Sequence, residues 1–330
     1  MRPVFPASTA AGLCIGDLRV SVAAKRPEIL AHVRDRYRVF LTDQKPDFEI
    51  EMATLEDAPP ADFLGVPPDW LGGFGTRGAD ASRQPRSGRG TEAYRGKTRA
   101  WNSFTPAPAG EPHAASRPRV VHAGQRVFFQ RQDFAACLDL ETCRGRNIFE
   151  ANMKPFAIES FLRICYSFLA VLNDGLLLHS AGVVRGQSGY IFPGQSGTGK
   201  STIAGLARPS ETVLSDEMVV IRYQGGRHRV FSTPFYGTNR SAEQNLSADL
   251  KAAFLPIKAE QVRLEKAAPA RSLSKLMAGI LFFGQDTQMH QRLLDTSLRV
   301  VERVPFYDMH FRRDGAFWDC IAALEQQGGG

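Results

Sequence analysis

A glycine-rich stretch near the middle of the chain has the residue types and spacing of a phosphate-binding loop. Residues 194–201 match the pattern G-x-x-x-x-G-K-[ST] at every fixed position. Its three glycines lack a Cβ, so the backbone can adopt positive φ and curve around an anion with its N–H groups directed at phosphate oxygens. Lys200 supplies a charge for the β- and γ-phosphates, and the Ser201 hydroxyl is a ligand for Mg²⁺. We predict nucleotide contacts from Gly194, Gln195, Ser196, Gly197, Thr198, Gly199, Lys200, Ser201 and Thr202.

The sequence on both sides of this loop fits the same role. Residues 189–192 form a short apolar run typical of a buried strand, and residues 201–207 indicate a short helix. A phosphate in the loop would then lie at a helix N-terminus, where unpaired N–H groups and the helix dipole favour negative charge. This order of strand, loop and helix favours a nucleotide site over a Gly/Ser-rich turn that contains Gly-Lys-Ser by chance.

Two adjacent carboxylates follow the next predicted strand. Residues 212–214 are apolar and β-branched, and Asp216 and Glu217 come directly after them, at the strand end where α/β sheets place their ligands. One such acid can bind Mg²⁺, and its neighbour can accept a proton from an attacking hydroxyl. The alternative is a polar β-turn, because Ser-Asp-Glu is ordinary turn composition.

A histidine ends the strand predicted before the loop hairpin. Residues 176–179 read Leu-Leu-Leu-His, and His179 would lie beside the phosphate site if this strand neighbours residues 190–192. The alternative is a structural histidine with no part in the chemistry.

Composition limits the class of protein that carries these residues. The chain has 330 residues, 43% of them hydrophobic and 22 of them Phe, which is enough for a globular core. The net charge of +7 allows acidic partners and is too modest to indicate nucleic acid, so none is expected. Five cysteines without metal spacing indicate free thiols in a reducing compartment. No uninterrupted apolar stretch reaches membrane-spanning length, and the first twenty residues lack the apolar region of an export signal, so we expect a cytoplasmic protein without a membrane.

The chain divides into three predicted zones: a small N-terminal α+β lobe at 1–56, a flexible insertion at 57–118 and a catalytic domain at 119–330. The lobe is predicted as strand 18–22, a helix through 29–40 and strand 48–52. The insertion is rich in Pro, Gly, Ser and Arg, so little of it is expected to bury a core. Its arginines would suit an acidic peptide or RNA, although a solvated linker is the simpler interpretation.

We predict a mixed α/β sheet with hairpins in the third zone, because its strands follow one another too closely for regular βαβ alternation. This sheet is preceded by a predicted hairpin around Ala123 and Gly124 and a predicted helix over 156–172. The later elements are predicted as strands 176–179, 182–184, 190–192, 212–214, 218–221, 230–231 and 279–283, and as helices near 240–255, 288–302 and 317–325.

Two missing motifs exclude common classes of nucleotide-binding protein. The sequence contains no L-S-G-G-Q-like signature of transporter ATPases and no N-K-x-D motif of GTPases.

The motifs in order, at 177–184, 189–202 and 214–217, resemble the HPr kinase/phosphorylase-like proteins, in particular the shorter HPr kinase-related ones. The resemblance covers about 120–325 and more weakly 13–55, and also includes 232–237 and 304–311. It implies a P-loop core of the phosphoenolpyruvate carboxykinase type, ATP and Mg²⁺ as cofactors, and catalytic roles for His179, Lys200, Asp216 and Glu217. It also implies Ser201 and Asp216 as metal ligands.

The sequence departs from that family at two places. Glu217 stands where the family has a second Asp, and which acid is base and which binds metal stays open. The downstream E-I-R-G-L-G-I-like signature is missing, and Arg263 and Glu265 do not replace it, which argues against the phosphocarrier protein as substrate and against the reverse phosphorolysis.

The sequence as a whole therefore predicts a kinase that transfers the γ-phosphoryl group of ATP to a hydroxyl, with serine the expected acceptor, on a peptide or small protein. Peptide-maturation enzymes are candidate partners, and the resemblance allows a homo-oligomer. The alternative is a nucleotide-gated module that binds a peptide or partner and turns over little. A carboxykinase acting on a small acid is a weaker third reading.

Overall fold

Two mixed β-sheets form the framework of the protein. The computed structural model describes residues 10–71, 74, 118–195, 197–236 and 244–327. Within these residues one sheet has seven strands and the other has eight, and both combine parallel and antiparallel pairs. The predicted mixed α/β class is confirmed at this level.

The first sheet has the strand order β1-β2-β3-β7-β6-β5-β4. Its strands are Ala10–Ile15 (β1), Leu18–Ala24 (β2), Phe48–Thr54 (β3), Arg119–Ala123 (β4), Arg126–Gln130 (β5), Phe134–Asp139 (β6) and Arg144–Phe149 (β7). Strand β3 is parallel to both β2 and β7. The sheet thus continues across the predicted division at residue 119, because the strands of the N-terminal lobe pair with strands that follow it.

Part of the segment predicted as a flexible insertion is packed against this sheet. Helix α2 (Pro60–Leu64) and a 3₁₀ turn (Pro68–Leu71) bury Leu64 and Leu71 against the sheet, and Phe74 is buried in the same cluster. The expectation that 57–118 buries little is therefore wrong for 57–71, because its apolar side chains are spaced to cover Phe128 of the sheet. Residues 75–117 lie outside the described part of the chain.

The second sheet contains the strands that flank the glycine loop and the predicted acids. Its strands are Gly175–Arg185 (β8), Ser188–Pro193 (β9), Glu211–Ser215 (β10), Met218–Gln224 (β11), Arg227–Phe231 (β12), Ser247–Lys258 (β13), Arg263–Lys266 (β14) and Phe306–Phe311 (β15). The β8–β9 and β11–β12 hairpins are antiparallel, whereas β13 is parallel to β9 and β15. Both the hairpins and the mixed sheet were predicted.

The remaining helices pack around the two sheets. They are Pro27–Arg36 (α1), Pro155–Leu172 (α3), Lys200–Gly205 (α4), Pro269–Gly279 (α5), Thr287–Arg303 (α6) and Phe317–Gln327 (α7). The predicted helices at 156–172, 288–302 and 317–325 are confirmed, and the predicted helix through 29–40 ends at Arg36 before a 3₁₀ turn, Arg38–Phe40.

Helix α3 packs on strands of both sheets and is the centre of the main core. Phe161 meets Phe134 at a ring-centroid distance of 5.9 Å, and Phe168 meets Phe129 at 5.4 Å. Pro155 opens the helix, where its missing N–H breaks no hydrogen bond. Among the described residues α3 alone is long and apolar enough to span a membrane, but 72% of that window is buried inside the protein, as expected of a core helix.

Two predicted elements are wrong. Residues 247–255, predicted as part of a helix, belong to strand β13, because pairing with β9, β12 and β15 outweighs the helical propensity of Ala, Leu and Lys. The predicted strand 279–283 is reduced to a single bridge from Ile280 to Leu178, because α5 extends to Gly279 and α6 begins soon afterwards at its cap Asp286.

Candidate functional site

Strand β8 holds His179 between the glycine loop and the two acids. The Gly194 N–H donates to the His179 carbonyl at 3.4 Å, and Met218 of β11 lies opposite His179. The Ser180 N–H donates to the Glu217 carbonyl at 2.9 Å. His179 was predicted at a strand end, but it lies within an eleven-residue strand because β11 pairs before it and β9 after it.

The loop between β9 and α4 has the backbone that its glycines predict. Gly197 and Gly199 have φ of 86° and 109°, a region that favours glycine. A Cβ on Gly199 would lie 2.6 Å from Cζ of Phe311, so the loop rests directly on the end of β15. The Thr198 hydroxyl donates to the Gln195 carbonyl at 2.8 Å, which closes the turn.

Lys200 is buried beneath this loop. Its Nζ donates to the carbonyls of Gly194 at 2.8 Å and Gln195 at 2.9 Å, so the ammonium group lies within the curve of the loop. Burial lowers the pKa of Lys200 to about 8, although the nearby carboxylates of Glu217 and Asp216 oppose that shift. A buried lysine surrounded by backbone carbonyls can exchange these partners for phosphate oxygens.

Asp216 and Glu217 occupy the break between β10 and β11. Both strands run antiparallel to β8, and the register shifts where β10 ends. The Ser215 hydroxyl accepts from the N–H groups of Glu217 at 3.2 Å and Met218 at 3.0 Å, which fixes the turn. Asp216 is only 1% exposed. Burial raises the pKa of Glu217, and Asp216 raises it further, whereas Arg163 and Lys200 oppose the shift.

His179 is kept neutral by its surroundings. Burial lowers its pKa to about 3, and the positive charges of Lys200 and Arg163 act in the same direction. A neutral imidazole can donate one hydrogen bond and accept another. The structure therefore places Lys200 within electrostatic range of His179, Asp216 and Glu217.

We expect His179 to make the protein less stable in mild acid. Its ordinary pKa of 6.5 applies in the unfolded chain and its folded pKa is about 3, so below pH 6.5 the unfolded chain binds a proton that the folded chain does not. The free energy of unfolding should therefore fall as pH drops from 6.5 towards 3, with about 2 kcal/mol lost by pH 5. Chemical denaturation of the wild type and of His179→Asn at pH 8 and pH 5 measures this; equal pH dependence of the two would contradict it.

The remaining predicted loop and metal residues differ in their exposure to solvent. Ser201 is exposed at the start of α4 and Thr202 is half-buried, whereas Ser196 lies outside the described residues. In the part of the chain that the structure describes, no group of three or more His, Cys, Asp or Glu could hold a metal ion by itself.

Sequence reasoning missed Arg163 at this site. It lies on α3, donates to Glu159 Oε1 at 2.6 Å and approaches Glu217 Oε1 at 3.6 Å. In the sequence Arg163 only interrupts an apolar helix. That interruption could have indicated an acidic partner for Arg163, because a charged residue within a buried helical face is rarely left without one.

These observations define a mixed α/β protein with a glycine loop, a buried lysine and two acids at one edge of a sheet. A family model described as SynChlorMet cassette protein ScmC matches residues 142–325. The match covers more than half of the chain, so the chain belongs to this family. It includes α3, the loop and both acids, and it excludes α1. A search of the curated proteins finds no significant match.

Proposed function

We propose that this protein is an ATP- and Mg²⁺-dependent kinase that transfers the γ-phosphoryl group to a hydroxyl of a peptide or small protein. The observation that carries the proposal is the convergence of His179, Lys200 and the Asp216–Glu217 pair beside a glycine loop with two positive-φ glycines. Phosphoryl transfer needs mainly positioning and charge stabilisation, so this small set of side chains is sufficient.

The proposal includes a P-loop core of the phosphoenolpyruvate carboxykinase and HPr kinase type. The hairpin β8–β9, the loop and helix α4 follow one another as the resemblance requires, and the acids follow β10. The residues fit a magnesium nucleotide: the curved loop offers N–H groups, Lys200 offers a cation, and Ser201 and Asp216 offer a hydroxyl and a carboxylate. Bound Mg²⁺ would neutralise charge on the β- and γ-phosphates.

The side chains of the site divide the tasks of binding, orientation and proton transfer. Lys200 leaves its two loop carbonyls to hold the phosphates, and the loop N–H groups, from Gly194 to Thr202, orient them. Glu217 or Asp216 removes the proton from the acceptor hydroxyl. The hydroxyl oxygen forms the new bond to the γ-phosphorus, and the bond between that phosphorus and ADP breaks. Burial raises the pKa of Glu217 towards the working pH, which suits a base. Neutral His179 holds one of the acids or contacts the transferred phosphoryl group.

The acceptor and the setting follow from the resemblance. We propose serine as the acceptor residue, a role in peptide tailoring with maturation enzymes as partners, and a cytoplasmic location, where the five cysteines, all free, would stay reduced. A homo-oligomer fits the same proposal, and neither nucleic acid nor a membrane is required.

Incubation with ATP labelled at the γ-phosphate and candidate peptides tests the function. Label recovered as a phosphate ester on a peptide hydroxyl supports the kinase. Tight ATP binding without transfer to any acceptor would instead support the nucleotide-gated binding module. ATP labelled at the α-phosphate is the matched control, because a kinase leaves that label on ADP.

Nucleotide binding should be accompanied by proton uptake at Lys200. With a pKa of about 8, Lys200 is half deprotonated at pH 8, and phosphate oxygens will restore its charge. We expect uptake of about half a proton per nucleotide at pH 8 and little at pH 6. Titration calorimetry in two buffers of different ionisation enthalpy measures it. Lys200→Arg stays charged and should take up none, so equal uptake by both proteins would contradict this assignment.

A further inference from the structure

A chain of alternating charges connects helix α1 to the acids of the site. Arg36 at the end of α1 donates to Glu159 Oε2 at 2.9 Å, and Arg163 donates to Glu159 Oε1 at 2.6 Å. Arg163 then approaches Glu217 Oε1 at 3.6 Å. One carboxylate of α3 therefore holds two guanidinium groups, and the second of these faces Glu217.

This series of charged side chains is largely shielded from solvent, and aromatic rings lie against its two arginines. The side chains of Glu159, Arg163 and Glu217 are 12%, 16% and 15% exposed. The guanidinium group of Arg36 lies 3.8 Å from the ring centroid of Tyr236, and that of Arg163 lies 5.6 Å from the ring of Phe235. Ion pairs with so little solvent are weakly screened, and planar guanidinium groups keep a defined orientation.

The remaining charges near Glu217 do not replace Arg163 in this role. Lys200 is held by two loop carbonyls, and Asp216 and Glu159 repel Glu217. Arg163 is thus the cation that approaches the Glu217 carboxylate from α3.

We propose that Arg163 is a positioning residue that fixes the Glu217 carboxylate for phosphoryl transfer, and that Glu159 and Arg36 hold Arg163 in place. The effect on transfer rests on the proposed kinase function. The N-terminal helix α1, outside the region that the family model matches, thereby contributes to the rate without contacting the substrates.

Kinetics of four variants test the proposal. Arg163→Met should lower kcat by about 10- to 100-fold with little change in the KM for ATP, because the nucleotide site is intact while Glu217 is misplaced. Arg163→Lys keeps the charge and should recover part of this loss, because a point charge cannot span two carboxylates. Arg36→Met should lower kcat by about two- to thirtyfold. Arg34→Met is the matched control, because Arg34 lies on α1 and donates to the Ala10 carbonyl instead.

An unchanged kcat in Arg163→Met, or a loss confined to the KM for ATP, would overturn the proposal. A thermal-unfolding cycle of Arg163→Met, Glu217→Gln and the double variant tests the same link without any activity. The double variant should differ from the sum of the single Tm shifts by ~2 °C or more. Additive Tm shifts would overturn the positioning role. If the wild type transfers no phosphoryl group, the kinase proposal fails, and the unfolding cycle alone then tests whether Arg163 and Glu217 are coupled.

Discussion

Replacing Lys200 with alanine is expected to abolish phosphoryl transfer, with kcat/KM lowered by about 1,000-fold or more. Lys200 is the cation beneath the loop, and its Nζ is already within the curve that the phosphates would enter. Without it, the negative charge that develops on the γ-phosphoryl oxygens loses the positive charge of a buried side chain. Initial rates of label transfer from γ-labelled ATP measure the loss.

Lys200→Met is the companion variant, because it keeps most of the buried apolar stem and removes the ammonium group that donates to the loop carbonyls. Lys275→Met, on the exposed face of α5, is the control and should transfer at the wild-type rate. Near-normal phosphorylation by either Lys200 variant would count decisively against the kinase.

Neutralising the two acids should produce the second largest effect and separate their roles. Asp216→Asn and Glu217→Gln are each expected to lower kcat by about 100- to 10,000-fold, the range for loss of a general base or a metal ligand. If Asp216 binds Mg²⁺ and Glu217 is the base, Asp216→Asn alone should need more Mg²⁺ for half-maximal rate. Rates measured over a range of Mg²⁺ concentrations therefore distinguish the metal ligand from the general base.

Asp295→Asn, an exposed carboxylate on α6, is the control for these variants and should behave as the wild type. Full activity in both Asp216→Asn and Glu217→Gln would mean that neither acid takes part, and the turn between β10 and β11 would then be only a polar turn.

Much of the local structure around the site follows from short-range sequence signals. The apolar run at 190–192, the three glycines and the short helix after Lys200 each determine their own conformation, so β9, the loop and α4 were predictable. Asp216 and Glu217 follow a short β-branched strand, which places them at the predicted strand end. Signals of this kind depend on neighbouring residues only.

Features that depend on distant residues were not predictable. Residues 247–255 have helix-forming composition, and their strand conformation comes from pairing with β9 and β15 on either side. The continuity of β3 with β7 joins residues nearly a hundred positions apart, so the first sheet could not be read from one segment. Arg163 reaches Glu217 only because α3 packs on β8 and β11.

A crystal structure with Mg²⁺ and a non-hydrolysable ATP analogue would show whether the glycine loop, Lys200 and the two acids form a nucleotide site. We expect the γ-phosphoryl oxygens to lie about 3 Å from Lys200 Nζ, which will have left the carbonyls of Gly194 and Gln195. We also expect the metal ion on Ser201, with Asp216 and Glu217 facing the γ-phosphorus. A nucleotide bound elsewhere, or acids turned away from a nucleotide in the loop, would contradict this expectation.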